Sequence, residues 1–325
     1  MKQRRMIKIG IIGGAGYTAG ELVGLLINHP EVKISWIHSE SNAGNAVTEV
    51  HGGLTGDTDL VFTGDIDLDS IDCLFLCSGH GASTKFWESH TRPAHLKVVD
   101  LAQDFRDESC GYVYGLPELQ REKIKGAGLV ANPGCFATAI QLGLLPPAAA
   151  GKLSGEVAVT GITGSTGAGV KPSATTHFSW RNDNLSVYKP FTHQHLAEIG
   201  RSLAKLSASD ARLTFIPVRG DFPRGIFVSM TTDANGLTDS QVAEIYTDYY
   251  RDAAFTRFVT KSPDLKQVTN TNKALVWTAV HDGKLLIVSI IDNLLKGASG
   301  QAVQNMNLMF GLPEDTGLKL KPSTF

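Results

Sequence analysis

No stretch of the 325-residue chain reaches the roughly 18 consecutive apolar residues that a membrane-spanning helix needs. An excess of one charge is missing too. The 30 basic and 32 acidic residues leave a formal charge of -2, so the chain offers no general basic surface for nucleic acid or a membrane, and an anionic ligand must be met by local groups. Cysteine is scarce: Cys73, Cys77, Cys110 and Cys135 fit a reduced cytoplasm better than a disulfide framework. Cys73 and Cys77 bound an apolar Cys-Leu-Phe-Leu-Cys stretch, where packing is the simpler role and a metal would lack companion ligands, so no metal is expected. Internal repeats and low-complexity tracts are absent. The basic start Met1-Lys-Gln-Arg-Arg5, followed by Met6-Ile-Lys-Ile-Gly-Ile-Ile12, superficially suggests a secretory signal. Lys8 interrupts its apolar part, glycines close it and no small-residue cleavage site follows, so it reads as a first strand.

The length suits two domains, each with its own core. Ile7–Ile12 runs into Gly13-Gly-Ala-Gly16-Tyr-Thr-Ala19-Gly20-Glu-Leu22, and a helix with apolar Leu22, Leu25 and Leu26 follows. Gly13, Gly16 and the small Ala19 stand three residues apart, which lets backbone amides approach a pyrophosphate at the helix N-terminus. Gly13, Gly14, Ala15, Gly16, Tyr17 and Thr18 are therefore candidate dinucleotide contacts, with an ordinary tight βα turn as the alternative. A second strand, Val32–Ile37, ends in His38-Ser-Glu-Ser41: Ser39 and Ser41 favour the 2′-phosphate of NADP, whereas Glu40 suits the ribose diol of NAD. Further βα signals at 73–77 and 96–101 argue for a mostly parallel sheet. Ser78 to Gly81 falls at a strand's carboxyl end, where cofactors bind in such sheets. His80 there is either a contact or merely exposed. Arg106 is a candidate anion clamp, or half of a surface ion pair.

Cys135 lies in Asn132-Pro-Gly-Cys-Phe-Ala-Thr138, between the strand-like Leu129-Val-Ala131 and a helical stretch from Ala137 to Leu145. Pro133 and Gly134 turn the chain, so the thiol should emerge at the start of the helix, where the N-terminal dipole favours the nucleophilic thiolate. A small buried residue at a corner is the bland alternative. Pro146 to Gly155 reads as a connector. Beyond it, Val157–Ile162, Arg212–Val218, Ile226–Thr232, Leu275–His281 and Lys284–Ile291 read as strands of a mixed or antiparallel sheet, and Asp282-Gly283 as a hairpin turn. The loop Gly161–Gly169 either presents amides and hydroxyls, Ser165 among them, to an anion or is simply flexible. His193-Gln-His195 opens a helix with Glu198 one turn on. That pattern suits a histidine acid/base oriented by a carboxylate, a shared metal, or a plain helix start. Near the end, Ile290–Lys296 precedes a helix from Gln301 to Phe310.

Taken together, the segments Gly13–Leu22, Val99–Arg106, Tyr114–Leu119, Asn132–Cys135, His193–His195 with Glu198-Ile199, and Asp292–Gly297 through Gly311 closely resemble the N-acetyl-gamma-glutamyl-phosphate reductases, arginine-pathway relatives of aspartate-semialdehyde dehydrogenase. The resemblance spans nearly the whole chain. It implies an α/β fold: a Rossmann-type parallel-sheet nucleotide domain, 1–134 plus 299–325, and an α+β catalytic, substrate and dimerisation domain with a large mixed sheet, 135–298. It implies NADP, a small-molecule acyl-phosphate substrate, a dimeric or tetrameric homo-oligomer, a cytoplasmic location, and neither nucleic acid nor membrane as partner. The implied reaction is NADPH-dependent reduction of an N-acyl-gamma-glutamyl phosphate to the semialdehyde through a Cys135 thioester, with aminoadipyl or aspartyl phosphate as the alternative substrate. His195 or His193 takes the histidine's place, and His195 is favoured because Glu198 can orient it. Asn293 falls in the segment that approaches the nicotinamide, while Arg106, Asn132, Ser165, His193 and Glu198 fall on the substrate side. Two departures stand out. Phe136-Ala137 replaces Tyr-Pro, and Pro217-Val-Arg219 replaces Pro-His-Leu, so that Arg219 could greet an additional carboxylate and leaves open an acetyl or a succinyl group.

Overall fold

The computed structural model describes residues 5–206 and 210–324; the residues 1–4 that begin the basic start lie outside them. Two compact units result. One runs to Pro133 and is rejoined by Ala298–Lys319, and the other comprises Gly134–Gly297 and the chain from Leu320. The resemblance implies that everything from 299 on belongs with the first unit, but Ser323 N–H donates to the Thr269 carbonyl at 3.1 Å inside the second.

The first unit alternates β1 (Ile7–Ile12), α1 (Tyr17–Leu26), β2 (Val32–His38), α2 (Val47–Val50), β3 (Phe62–Thr63), β4 (Cys73–Leu76), α3 (Ala82–Ser89), β5 (Lys97–Asp100), β6 (Val113–Tyr114), α4 (Pro117–Lys125) and β7 (Leu129–Ala131). Its strands pair in parallel in the order β3-β2-β1-β4-β5-β7-β6. A sheet covered on both faces demands unbroken apolar strands, and Cys73, Leu74 and Phe75 of β4 are fully buried. The strand order reverses between β1 and β4, so a crevice for a ligand opens at their carboxyl ends. The glycine turn leaves β1 at that point.

The second unit contains α5 (Cys135–Ala149), β8 (Glu156–Thr163), α6 (Phe178–Arg181), β9 (Ser186–Val187), α7 (His195–Leu206), β10 (Arg212–Arg219), β11 (Ile226–Asp233), α8 (Asp239–Tyr249), β12 (Thr256–Phe258), β13 (Ala274–His281) and β14 (Lys284–Ile291). These strands form one mixed sheet in the order β12-β13-β14-β11-β8-β10-β9. β8 with β10 and β12 with β13 run parallel, and the remaining pairs antiparallel. Asp282 at φ 47° and Gly283 at φ 73° make the two-residue turn joining β13 to β14. The last helix, α9 (Ser299–Met309), returns to the first unit and packs on α1 and α4 there.

Helix α5 continues through Pro146 and Pro147, where the sequence alone points to a connector. Proline has no N–H, so the carbonyls of Leu142 and Gly143 lose their usual helical donors. The side chains of α8 and its end replace them: the Tyr250 hydroxyl donates to the Leu142 carbonyl, and the Tyr246 hydroxyl donates to the Gly143 carbonyl at 2.6 Å. A backbone defect invisible as such in the local sequence is thus repaired from about a hundred residues away.

Candidate active site

Each unit carries half of the expected chemistry. In the first, Gly13 takes φ +80°, and a Cβ there would lie 2.9 Å from the Cys77 carbonyl carbon and the Ser78 nitrogen. A Cβ on Gly14 would stand 2.4 Å from Ile37 Cγ2. β4 and β2 therefore crowd the turn until only glycine fits. Gly14 N–H donates to the His38 carbonyl at 3.0 Å, and Gly16 caps α1 without any side-chain acceptor, leaving the first amides of the helix for a ligand. Tyr17 has an exposed side chain, and the Thr18 carbonyl accepts from Ser299 Oγ at 2.7 Å. Ser39 is buried, and both its hydroxyl and that of Ser41 accept from Asn42 Nδ2 at 3.0 Å. A cradle that excludes a Cβ, uncapped amides and two hydroxyls at the end of β2 fit a phosphorylated dinucleotide.

The neighbouring loops are less open. Ser78 Oγ lies against the Gly13 turn, and His80 Nδ1 accepts from Gln103 N–H at 3.3 Å. The N-terminus of α3 is already filled by Asp104, which accepts from the amides of Gly81 at 2.7 Å and Thr84 at 3.0 Å. Burial works against that carboxylate, yet these bonds hold it below its ordinary range. Asp100, which the sequence reading passed over, ends β5 fully buried; burial pushes it up to about 6 despite bonds from Ala102 N–H and Ser83 Oγ. The available signal was a lone acid closing the apolar Val98-Val-Asp100. Arg106 is buried rather than at the surface, with Nε donating to the Asn132 carbonyl at 2.9 Å and Nη2 to that of Leu101 at 3.0 Å. Asn132 spends its side-chain amide on α9, donating to the Ala298 carbonyl at 3.1 Å and accepting from Asn305 at 3.0 Å. Both residues fix the backbone that leads to Cys135.

In the second unit Gly134 caps α5 in an extended conformation, φ −70°, rather than the left-handed one its flexibility permits, and Cys135 is the first helical residue, partly exposed. Helix α7 packs on α5. From α7 the buried Glu198 accepts from Gly134 N–H at 3.2 Å through one oxygen, while the other stands 3.7 Å from His195 Nε2. One carboxylate thereby joins the turn before Cys135 to the histidine. His195 N–H donates to His193 Nδ1 at 3.3 Å, so a neutral His193 carries its proton on Nε2. Burial, then the Lys189 charge, pushes His193 down to about 4. Its ring sits among Phe136 at 5.7 Å, Tyr188 at 5.8 Å, Phe215 at 5.4 Å and His195 at 4.6 Å.

Tyr188 is pushed above its ordinary range by burial and next by the nearby Cys135, so the cysteine and this phenol share one neighbourhood. The Arg219 guanidinium stacks over the Tyr188 ring at 4.6 Å, and no carboxylate among the described residues pairs with it. Asn293 Oδ1 accepts from Gly225 N–H at 2.7 Å and its Nδ2 donates to Thr166 Oγ1 at 2.9 Å, which ties it to the short turn Ser165–Ala168. Ser165 N–H donates to the Phe222 carbonyl at 2.8 Å. No group of three His, Cys, Asp or Glu side chains among the described residues is placed to hold a metal.

A glycine-turn parallel sheet and a mixed sheet with a cysteine at a helix start define the class: residues 8–127 match the semialdehyde dehydrogenase NAD binding domain, and residues 135–293 the semialdehyde dehydrogenase dimerisation domain. Solved structures agree on the fold. Aspartate semialdehyde dehydrogenase II from Vibrio cholerae, complexed with ASA, superposes with a TM-score of 0.73 at 16% identity, covering 94% of this chain and 99% of that one. The Candida albicans aspartate semialdehyde dehydrogenase with NADP gives 0.71 at 15% identity, covering 94% and 98%. Curated relatives are much nearer in sequence. N-acetyl-gamma-glutamyl-phosphate reductase of Parabacteroides distasonis is 60% identical over 98% of this chain and 100% of its own length, and that of Bacteroides thetaiotaomicron is 58% identical over the same shares. The chain belongs to the N-acetyl-gamma-glutamyl-phosphate reductase family.

Proposed function

We propose that this protein reduces an N-acyl-gamma-glutamyl phosphate to the N-acyl-glutamate semialdehyde with NADPH, releasing phosphate, as a step of arginine biosynthesis. The observation that carries the reading is the partly exposed Cys135 at the start of α5, its turn tethered by Glu198, in a chain 60% identical to a reductase of that name.

The N-terminus of α5 favours the Cys135 thiolate. That thiolate attacks the γ-carbonyl carbon; the C–O bond to phosphate breaks, and the acyl group remains on sulfur as a thioester. When bound, the dinucleotide supplies the hydride that reduces this acyl carbon. The C–S bond then breaks and the semialdehyde leaves. His195 takes the thiol proton and returns a proton where negative charge departs, with Glu198 orienting its ring. His193, held neutral by burial, is a poorer proton donor near pH 7, which favours His195 for the role. Arg106 and Asn132 act by holding the residues before Cys135, Ser165 contacts substrate or phosphate, and Arg219 meets a carboxylate of the acyl group where there is one. Gly13 to Thr18 hold the pyrophosphate, and Ser39 and Ser41 the 2′-phosphate, which makes the cofactor NADP. The protein acts in the cytoplasm as a homo-oligomer assembled through its second unit.

Cys135→Ser is expected to abolish phosphate-dependent NADPH turnover while leaving NADPH binding intact; near-normal turnover would sink the mechanism. In the reverse direction semialdehyde oxidation must require phosphate. A panel of acetyl- and succinyl-glutamyl phosphates beside aminoadipyl and aspartyl phosphates reads the substrate, and a higher kcat/KM on either of the last two would move the assignment.

A further inference from the structure

One side chain at the dinucleotide turn has no part in the chemistry above. His51, just past α2, places Nε2 at 2.7 Å from the Gly14 carbonyl oxygen. A carbonyl only accepts, so Nε2 carries the proton and donates it. The other edge of the ring rests on α1, where a Cβ at Gly20 would stand 2.5 Å from Nδ1 and 2.8 Å from Cε1. The imidazole is therefore seated between α1 and the turn.

Holding that carbonyl has a consequence for the next amide. In a trans peptide the C=O and the following N–H point in opposite directions, so a bond to the Gly14 oxygen fixes the direction of Ala15 N–H. The amides on either side are already used: Gly14 N–H donates to His38 and Gly16 N–H to the Gly13 carbonyl at 3.3 Å. Ala15 N–H meets no partner among the described residues. Rotation of the Gly14–Ala15 peptide turns ψ of Gly14, which glycine leaves free, and φ of Ala15, whose side chain alone resists it. Rotation would replace a donor by a carbonyl oxygen facing an anion. We propose that His51 is the positioning residue of the dinucleotide turn: by holding the Gly14 carbonyl it keeps Ala15 N–H aimed at the pyrophosphate. This rests on reading the turn as the NADP site and adds to it the group that locks the turn.

The test is NADPH titration by fluorescence on the full chain, with steady-state kinetics and thermal unfolding on the same samples, for wild type, His51→Leu, His51→Gln and Gly20→Ala. Glutamine presents an amide N–H close to the place of Nε2–H, and leucine fills the space without a donor. His51→Leu should weaken NADPH binding about tenfold and raise the NADPH KM to match, with kcat at saturating NADPH and the acyl-phosphate KM within twofold; His51→Gln should stay within threefold of wild type. NADPH affinity in His51→Leu within threefold of wild type, or glutamine performing no better than leucine, overturns the proposal, because a packing role does not tell the two apart by their donor. If His51→Leu does not fold, Gly20→Ala carries the same test by displacing the ring, and unchanged NADPH affinity in that variant overturns the lock. A wild-type protein that fails to bind NADPH overturns the dinucleotide reading itself, a result distinct from any difference among the variants.

Discussion

Gly297 closes the turn after β14, and adding one methyl group to it is the sharpest probe of the thiol site. A Cβ there would stand 2.6 Å from the Asn293 carbonyl oxygen and 2.9 Å from both Asn293 Cα and Cys135 Cβ. Ordinary contact begins at 3.4 Å, so the first of these leaves a gap to be opened of about 0.8 Å (3.4 − 2.6). Two of the three obstructing atoms are backbone and cannot swing aside as a flexible side chain does. The third is the carbon that bears the Cys135 sulfur. Overpacking of this kind costs about 1–3 kcal/mol. In a protein of this size each kcal/mol lowers Tm by about 2–4 °C. Moving a reacting group by about 1 Å costs about a hundredfold in rate. Gly297→Ala should therefore remain folded with a Tm several degrees lower, lose about a hundredfold in kcat, and keep its NADPH dissociation constant within twofold, because the dinucleotide turn belongs to the other unit. Circular dichroism, steady-state kinetics and NADPH fluorescence on one preparation report all three. Wild-type kcat in folded Gly297→Ala would refute the claim that this contact sets the position of Cys135.

The two units should respond to pH with opposite signs. Asp100 is raised from 3.8 to about 6 in the folded state, so its contribution is complete below pH 3.8 and is lost as pH rises through 6. His193 is lowered from 6.5 to about 4, so its contribution is complete above pH 6.5 and is lost as pH falls through 4. Each effect is at most about 3 kcal/mol. Amide exchange, corrected for intrinsic rates, should show β5 loosening and α7 tightening as pH rises from 4 to 6, and Asp100→Asn and His193→Phe should each flatten only the trend of their own unit. In α5, Tyr246→Phe leaves the Gly143 carbonyl without its donor at a cost of about 1–3 kcal/mol. Adding Pro147→Ala restores a backbone N–H, so the double variant should melt higher than Tyr246→Phe alone; an equal or lower Tm would remove the repair argument.

Local chemistry made much of the fold readable. The glycine turn at 13–16, the apolar β4, the hairpin at Asp282-Gly283 and the placement of Cys135 at a helix start all depend on neighbours in the chain, and the structure has each of them. The amphipathic start of α7 likewise put His195 and Glu198 one turn apart. What escaped was set by partners far along the chain. Pro146 and Pro147 look like a helix end until Tyr246 and Tyr250 supply the missing donors. Arg106 carries no local sign that the carbonyls of Leu101 and Asn132 engage it. Nothing near His51 in sequence points to Gly14, because the contact exists only once α2 has folded back on the glycine turn.

The sequence by itself singled out the residue types proposed to carry the reaction: one cysteine after a proline-glycine turn, a histidine with a carboxylate one turn on, and glycines where a dinucleotide would come close. Those demands arise from backbone geometry and side-chain chemistry within a few residues, so they are written locally. Only the tertiary structure decided how each group is held and in what state. Glu198 reaches both His195 and the amide before Cys135, burial keeps His193 neutral, Asn132 donates to the start of α9, and Gly297 sits where no larger residue fits beside the thiol. Burial and contact are properties of the packed chain, and they fix protonation and position in a way that no local pattern encodes.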